Sequence, residues 1–114
     1  MHHLFGIFYN CELIGNVSLG PIEQFHNRAE ITYVIGSKKH WGKGIATYAV
    51  GKFCETAKRD FNFEKVFAGC AHLNEGSKHV LQKNNFTLEG VSRKQLLYNG
   101  IWMDQLDYGR ILTA

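Results

Sequence analysis

A cluster of lysines and glycines at residues 38–44 has the composition of a phosphate-binding loop. Lys39 and Lys43 supply positive charge, while Gly42 and Gly44 have no side chain, so a ligand can approach the backbone closely. The unpaired N–H groups and the dipole at the start of a following helix favour an anion at the same place. The segment therefore predicts a cradle for a pyrophosphate, although a purely structural turn would use the same glycines.

The segments on either side of this loop have the patterns of a strand and a helix. Residues 29–35 are rich in β-branched and aromatic side chains, which is typical of a buried strand. After the loop, apolar residues recur at helical spacing, namely Ile45, Ala49, Val50, Phe53, Ala57 and Phe61. The glycine spacing excludes a P-loop, which also needs Ser or Thr after its lysine, and a dinucleotide fingerprint, which needs a third glycine.

The loop resembles the Q/R-x-x-G-x-G/A loop of the GNAT family of N-acetyltransferases, with Lys39 in place of the usual Gln or Arg. Residues 74–86 resemble the family's N-x-x-S-x-x-x-L-x-K-x-G-F segment, with Asn85 in place of glycine. This departure is mild, because Asn tolerates the left-handed conformation at a helix C-terminus. Residues 41–47 are most similar to the Rim-like branch, which acetylates ribosomal-protein N-termini and small amines, and the resemblance extends from about residue 6 to residue 112.

The resemblance implies acetyl-CoA as co-substrate and a set of cofactor-binding residues. These are Val34, Ile35, Lys39, Trp41, Gly42, Lys43, Gly44, Ile45, Ala46, Thr47, Asn74 and Lys83. For Lys83, a solvated position on a helix face is the alternative.

The resemblance also implies three catalytic candidates, Glu30, Ser77 and Asn74. Direct attack of an amine on a thioester needs a base for the amine and an acid for the leaving thiolate. Glu30 is the candidate base, and its alternative is a solvated carboxylate at a strand end. Ser77 is the candidate acid, and its alternative is a helix cap. Asn74 is expected to bind the pantetheine chain or water, or to shape the turn.

Three further side chains near these motifs are open to interpretation. His72 could share a face with Asn74, although the family pattern assigns it no role. Tyr33 and Tyr98, like Trp41, are expected to be packing or pocket-wall residues.

The pattern along the chain predicts an α+β fold with α/β layers, built on a mixed, mostly antiparallel sheet in the order β-β-β-α-β-α-β-β. Strands are predicted at 5–9, 12–19, 30–35, 65–72, 87–98 and 101–112, and helices at 45–59 and 77–84. A loop is expected at Gly20 and Pro21, and a hairpin turn at Asn99 and Gly100. Gly51 lies inside the first helix, which suggests a close packing contact.

Length and composition favour one domain, residues 1–114, with 45% hydrophobic and 20% charged residues. A net charge of +3 without a wide basic face does not suggest nucleic acid. No apolar run is long enough for a bilayer, so no membrane association and a cytoplasmic location are expected. Three widely spaced cysteines and scattered histidines match neither a disulfide framework nor a metal site.

The GNAT fold normally opens with a further strand and helices, which this chain lacks. It is therefore expected to be a fragment, a minimal homologue, or a protein that completes its pocket with another subunit. An open first strand carrying Leu4, Phe5, Ile7 and Phe8 predicts a homo-oligomer, most simply a dimer. The predicted function is acetyl-CoA-dependent N-acetylation of a primary amine by direct attack. The alternative is a CoA-binding regulatory or interaction module without turnover.

Overall fold

The computed structural model describes residues 3–9, 12–23, 27–35 and 44–112. Its elements follow the predicted order of three strands, a helix, a strand, a helix and two strands. They are β1 His3–Tyr9, β2 Glu12–Glu23, β3 Arg28–Ile35, α1 Ile45–Arg59, β4 Lys65–Ala71, α2 Glu75–Lys83, β5 Thr87–Tyr98 and β6 Ile101–Ile111.

The strands form one sheet in the order β1-β2-β3-β4-β6-β5. Every neighbouring pair is antiparallel except β3 and β4, which are parallel. Parallel neighbours need a crossover connection, and α1 provides it. The predicted mixed, mostly antiparallel sheet is confirmed.

The parallel strands β3 and β4 pair only at their beginnings. The paired residues are Arg28 with Lys65, Ala29 with Val66, and Glu30 with Phe67. Both strands continue beyond this point, to Ile35 and Ala71, but their described residues form no further pair. An opening therefore separates the two strands in the middle of the sheet, and its walls are the unpaired strand edges.

Both described helices pack on the same face of the sheet. The buried residues of α1 and α2 belong to one core with alternate residues of the strands, as in β4, where Val66, Ala68 and Cys70 are buried. The core members are Val17, Ala29, Ile31, Val50, Phe53, Cys54, Ala57, Phe63, Val66, Ala68, Cys70, Val80, Leu81, Phe86, Tyr108 and Leu112. The face that carries Glu30, Phe67 and Gly69 is therefore the opposite one.

Asn84 joins the two helices at the expected close contact. Its Nδ2 group donates hydrogen bonds to the carbonyl oxygens of Thr47 at 3.0 Å and Val80 at 2.9 Å. A Cβ atom added to Gly51 would lie 2.8 Å from Asn84 Oδ1. The glycine in α1 therefore makes room for the amide that fixes α2 against α1.

The end of α2 confirms that Asn85 can replace the glycine of the family pattern. Asn85 has φ of 64°, in the left-handed region. The N–H of Phe86 donates to the carbonyl of Leu81 at 3.0 Å, and that of Asn85 donates to Gln82 at 3.1 Å. This is the Schellman pattern, which closes the helix and returns the chain towards β5.

Several predicted boundaries are wrong. β1 and β3 each begin two residues earlier than predicted, at His3 and Arg28, and α2 and β6 each end one residue earlier than predicted, at Lys83 and Ile111. The expected loop at Gly20 and Pro21 is part of β2, whose register shifts between Leu19 and Ile22. Gly20 has φ of 152°, which a glycine adopts at such an irregularity, and proline is tolerated there because a ladder bond is already lost. In addition, β4 ends at Ala71 rather than residue 72, and α2 begins at Glu75 rather than residue 77.

Candidate functional site

A cavity of about 240 Å³ occupies the opening between β3 and β4. The residues that line it come from three strands and the start of α2: Glu30, Ile31, Thr32, Tyr33, Gly69, Cys70, Asn74, Ser77 and Gln105. Side chains alternate between the two faces of a strand, so this cavity has walls from both faces of the sheet. All three catalytic candidates lie on it.

On the helix face, Ser77 and Tyr33 form the shortest polar contact of the site. The Tyr33 hydroxyl lies 2.6 Å from Ser77 Oγ, and either oxygen could be the donor. The same hydroxyl lies 3.4 Å from the carbonyl oxygen of Ser77. Burial raises the pKa of the Tyr33 hydroxyl, and the hydrogen bond with Ser77 partly opposes that rise.

Asn74, not Ser77, caps α2. The Asn74 side-chain oxygen accepts a hydrogen bond from the backbone N–H of Ser77 at 3.0 Å. The capping alternative for Ser77 is therefore wrong, and the turn-shaping alternative for Asn74 holds. With the cap supplied three residues earlier, the Ser77 side chain points to the cavity and to Tyr33.

Cys70 completes the polar cluster on this face. Its side chain is buried, and burial raises the pKa of the thiol, while a hydrogen bond with Ser77 and the charge of Lys78 oppose the rise. The thiol is therefore held in its neutral form, in which it is neither a nucleophile nor a strong acceptor. Ser77 thus lies between two neutral groups.

The opposite face of the opening carries Glu30 and Gln105. Glu30 pairs with Phe67, and Gly69 lies two residues further along the same side of β4. The Gln105 side chain crosses Gly69, where a Cβ atom would lie 2.8 Å from Nε2. Its amide donates to Asp107 Oδ1 at 2.9 Å, which fixes its orientation. Glu30 is half-buried, so its carboxylate is placed at a partly dry wall.

The two walls differ in charge, so one can accept a proton and the other can donate hydrogen bonds. Glu30 gives one wall a carboxylate that can accept a proton from an amine. Ser77 and Tyr33 give the other wall neutral hydroxyls that can donate to a developing anion. An acyl group held in the opening would lie between a base and a donor.

The start of α1 has the backbone conformation expected of an anion site. Gly44 is the N-cap residue, with φ of 76°, and no described side chain caps it. The first turn, with Ile45, Ala46 and Thr47, contains no acidic residue. A Cβ atom added to Gly44 would have no described atom within 4 Å. Lys39, Trp41, Gly42 and Lys43 lie outside the described residues.

The remaining cofactor candidates are not among the described residues that line this cavity. Val34 and Ile35 belong to β3, where their backbones pair with Asn16 and Gly15 of β2. Lys83 is exposed in the last turn of α2, at the end remote from Ser77.

The structure gives His72 a structural partner and leaves Tyr98 at the surface. The backbone N–H of Asp104 donates to His72 Nδ1 at 3.0 Å, and the backbone N–H of His72 donates to the Asp104 carbonyl oxygen at 2.9 Å. Tyr98 is exposed at the end of β5. Neither lines the cavity at Ser77.

Tyr33 was expected to be a packing or pocket-wall residue, and it does line the cavity. Its hydrogen bond with Ser77 was not predicted. The available signal was strand alternation, because Tyr33 shares a face with Ala29 and Ile31, the residues that form the helix-side core. Cys70 and Gln105 were also missed, since nothing in their local sequence indicates the opening.

A larger cavity, of about 570 Å³, lies between β1 and α1. Its wall is mostly apolar, with Ile7, Phe8, Val17 and Phe53 among its members. It contains none of the three catalytic candidates, so its size does not make it the reaction site.

No set of three or more His, Cys, Asp or Glu side chains is grouped for metal binding within the described ranges. None of the helices found in those ranges is long and apolar enough to span a membrane.

Residues 2–87 match the sequence profile of the acetyltransferase (GNAT) domain. The chain belongs to the GNAT family. It is 37% identical to the probable N-acetyltransferase YjcK of Bacillus subtilis over 102 residues, which cover 88% of this chain and 56% of that protein. It is 30% identical to the ribosomal-protein-serine acetyltransferase of Escherichia coli, covering 97% of this chain and 62% of that protein.

A solved acetyltransferase structure supports the cofactor assignment of the family. The microcin C7 self-immunity acetyltransferase MccE, in complex with acetyl-CoA and AMP, superposes with a TM-score of 0.87 at 29% identity. The match covers 96% of this chain and 61% of MccE. This chain thus spans less than two thirds of the length of these relatives. GNAT acetyltransferases use acetyl-CoA, and the chain has the family's fold with the predicted order of elements.

Proposed function

We propose that this GNAT domain transfers an acetyl group from acetyl-CoA to a primary amine by direct attack. The observation that carries the proposal is the position of Glu30 and Ser77 on one cavity, in the opening between β3 and β4. A base and a hydroxyl donor on the two sides of an opening suit a reaction in which an amine enters from one side and a thiolate leaves on the other.

In the proposed reaction, Glu30 first accepts a proton from the ammonium form of the acceptor, directly or through water, and the neutral nitrogen then attacks the thioester carbon. The carbon–sulfur bond then breaks, and the Ser77 hydroxyl donates to the departing sulfur. A cationic amine loses two protons over the full reaction. One passes through Glu30 to solvent, and the other, lost as the amide forms, ends on the thiol of CoA. Asn74 holds the first turn of α2 in place, and we assign it contact with the pantetheine chain as well.

The cofactor is proposed to lie with its pyrophosphate on the N–H groups of residues 42–47. Support comes from Gly44, whose left-handed conformation precedes a helix start that no described side chain caps. Lys39, Trp41 and Lys43 are assigned to the phosphates, Val34 and Ile35 to the pantetheine side of β3, and Lys83 to a CoA phosphate. The adjoining end of β3 supports the pantetheine assignment, because its described residues do not pair with β4.

The acceptor is proposed to be an amine that is cationic in solution, such as a protein N-terminus or a polyamine. The carboxylate of Glu30 favours such a group. The ribosomal-protein-serine acetyltransferase similarity supports a protein N-terminus as one member of this class.

Thiol release in the presence of acetyl-CoA and an amine panel tests this function. The panel contains short peptides with unblocked N-termini, polyamines and amino sugars, and calorimetry measures acetyl-CoA binding in the same preparation. We expect amine-dependent thiol release and an acetylated product with a matching mass. Tight acetyl-CoA binding without any amine-dependent release would favour the CoA-binding module instead.

The protein is also proposed to form a homo-oligomer through its β1 edge. Among the described strands, β1 lies at one edge of the sheet, and Phe8 and the adjoining Leu13 of β2 are 66% and 62% exposed. Exposed apolar side chains beside an open strand edge favour association with a second chain.

A further inference from the structure

We propose that Tyr33 is a positioning residue that directs the proton of Ser77 into the cavity between β3 and β4. This inference rests on the proposed function, because it assigns a purpose to the geometry around the candidate acid. Tyr33 itself need not touch the substrate, since it acts through Ser77.

Two hydrogen-bond arrangements are possible for this pair. In the first, Tyr33 donates to Ser77 Oγ over 2.6 Å, and the Ser77 proton is left for another acceptor. In the second, Ser77 donates to Tyr33, and the Tyr33 proton turns to the Ser77 carbonyl, which lies 3.4 Å away. The second arrangement uses a long, weak bond, so geometry favours the first.

The ionisation of Tyr33 is consistent with the first arrangement, although both arrangements use the neutral phenol. Burial raises the pKa of the phenol, so Tyr33 keeps its proton through the neutral and mildly alkaline range in which an amine becomes reactive. A phenol that keeps its proton remains a donor to Ser77.

Cys70 provides the remaining neighbour of the Ser77 hydroxyl. The thiol is buried and lines the same cavity as Ser77, and a neutral thiol is a weak acceptor. A departing thiolate is a much better acceptor, because it carries a full negative charge. The departing thiolate can therefore accept the Ser77 proton in preference to Cys70, while Tyr33 continues to donate to the Ser77 oxygen.

Both partners are fixed from outside the cavity. Tyr33 packs against the core on the same face as Ile31, which is 2% exposed. Ser77 is held by the Asn74 cap at one end of α2, and Asn84 ties the other end to α1. A short contact between two anchored elements is preorganised, which is what a donor to a developing charge needs.

Kinetics of Tyr33→Phe, Ser77→Ala and the double variant test this inference. Tyr33→Phe should lower kcat about tenfold, the equivalent of one hydrogen bond, with little change in KM for acetyl-CoA. Ser77→Ala should lower kcat more, on the order of a hundredfold. The double variant should be no slower than Ser77→Ala, because Tyr33 acts only through that hydroxyl. Losses that multiply in the double variant would overturn the inference.

The leaving group provides a second kinetic readout that a structural role would not change. When the acetyl group is carried by an acidic aromatic thiol, the departing thiolate is stable and needs no hydrogen-bond donor. Tyr33→Phe should therefore lose much less rate with this thioester than with acetyl-CoA. Equal losses with both thioesters would contradict a role on the departing sulfur.

A titration independent of turnover separates this inference from the proposed function. The difference in phenolate absorbance between the wild type and Tyr33→Phe, measured across a pH titration, reports the pKa of Tyr33. The same difference for Tyr48→Phe, which removes an exposed tyrosine, is the control. The bond with Ser77 lowers this pKa, so Ser77→Ala should raise it further. An unchanged Tyr33 titration would refute the hydrogen bond. A wild type without transfer activity but with this shift would refute only the proposed function.

Discussion

For single residues, the proposed reaction depends on the side chains of Glu30 and Ser77, which lie on opposite walls of one small cavity. Glu30 and Ser77 were both indicated by the resemblance to the family, because each stands in a short segment that matches the family pattern. Tyr33, Cys70 and Gln105 were not, since they meet the site only through the separation of β3 and β4. The sequence thus predicts which chemistry is present, whereas the neighbours that tune it depend on tertiary structure.

The pH dependence of Glu30→Gln is the first test at this scale. The change should lower the transfer rate most at moderate pH, where the amine needs a base, and less at high pH, where the amine is already neutral. Rates of acetyl transfer measured across this range check the expectation. Glu55→Gln, at an exposed site on α1, is the matched control and should leave the profile unchanged. A loss that is the same at every pH would assign Glu30 a structural role.

At the scale of elements, the long periodic segments were predicted well and the irregular ones were not. The bounds of α1 agree with the prediction because its apolar residues recur at helical spacing through the whole segment. The predicted loop at Gly20 and Pro21 is wrong because turn residues also occur where a strand changes register. The opening between β3 and β4 has no local signature, because it depends on pairing between distant segments.

Gly44 at the start of α1 tests the cofactor site. Gly44→Val should weaken acetyl-CoA binding by about tenfold or more, because a branched side chain would stand where the phosphate approaches the backbone. Gly100→Val is a close control, since Gly100 has φ of 75° against 76° for Gly44, and neither has a described atom within 4 Å of an added Cβ. Both variants carry the same backbone strain, but only Gly44→Val should lose affinity in calorimetry. Equal affinities of the two folded variants would exclude this site.

A substitution at Gly51 tests the packing contact between α1 and α2. Alanine favours a helix by about 1 kcal/mol over glycine. Gly51→Ala should nevertheless destabilise the fold by about 1–3 kcal/mol, because the added methyl group collides with Asn84. Gly76→Ala in α2 is the control, since its Cβ would lie 3.7 Å from Asn74 Oδ1, an ordinary contact. Urea unfolding measures both, and a stabilised Gly51→Ala variant would show that Asn84 can move aside.

At the scale of the whole molecule, the exposed edge of the sheet leads to a test of assembly. Sedimentation velocity at micromolar concentration should detect a homo-oligomer, and Phe8→Asp should shift it towards the monomer by placing a charge on the β1 edge. Trp102→Asp is the comparison, because Trp102 of β6, near the opposite edge of the sheet, is 55% exposed. Dissociation by Trp102→Asp alone would move the interface to the β5–β6 side, and a monomeric wild type would refute the oligomer.

The proposed reaction requires that one opening in the sheet brings the candidate acid and the candidate base to the same acetyl group. Its most direct test is the transfer rate of Ser77→Ala measured beside its dissociation constant for acetyl-CoA. We expect kcat to fall on the order of a hundredfold while the affinity for acetyl-CoA is nearly unchanged, since the hydroxyl acts on a thiolate that forms only during the reaction. A Ser77→Ala variant with the wild-type kcat would contradict it.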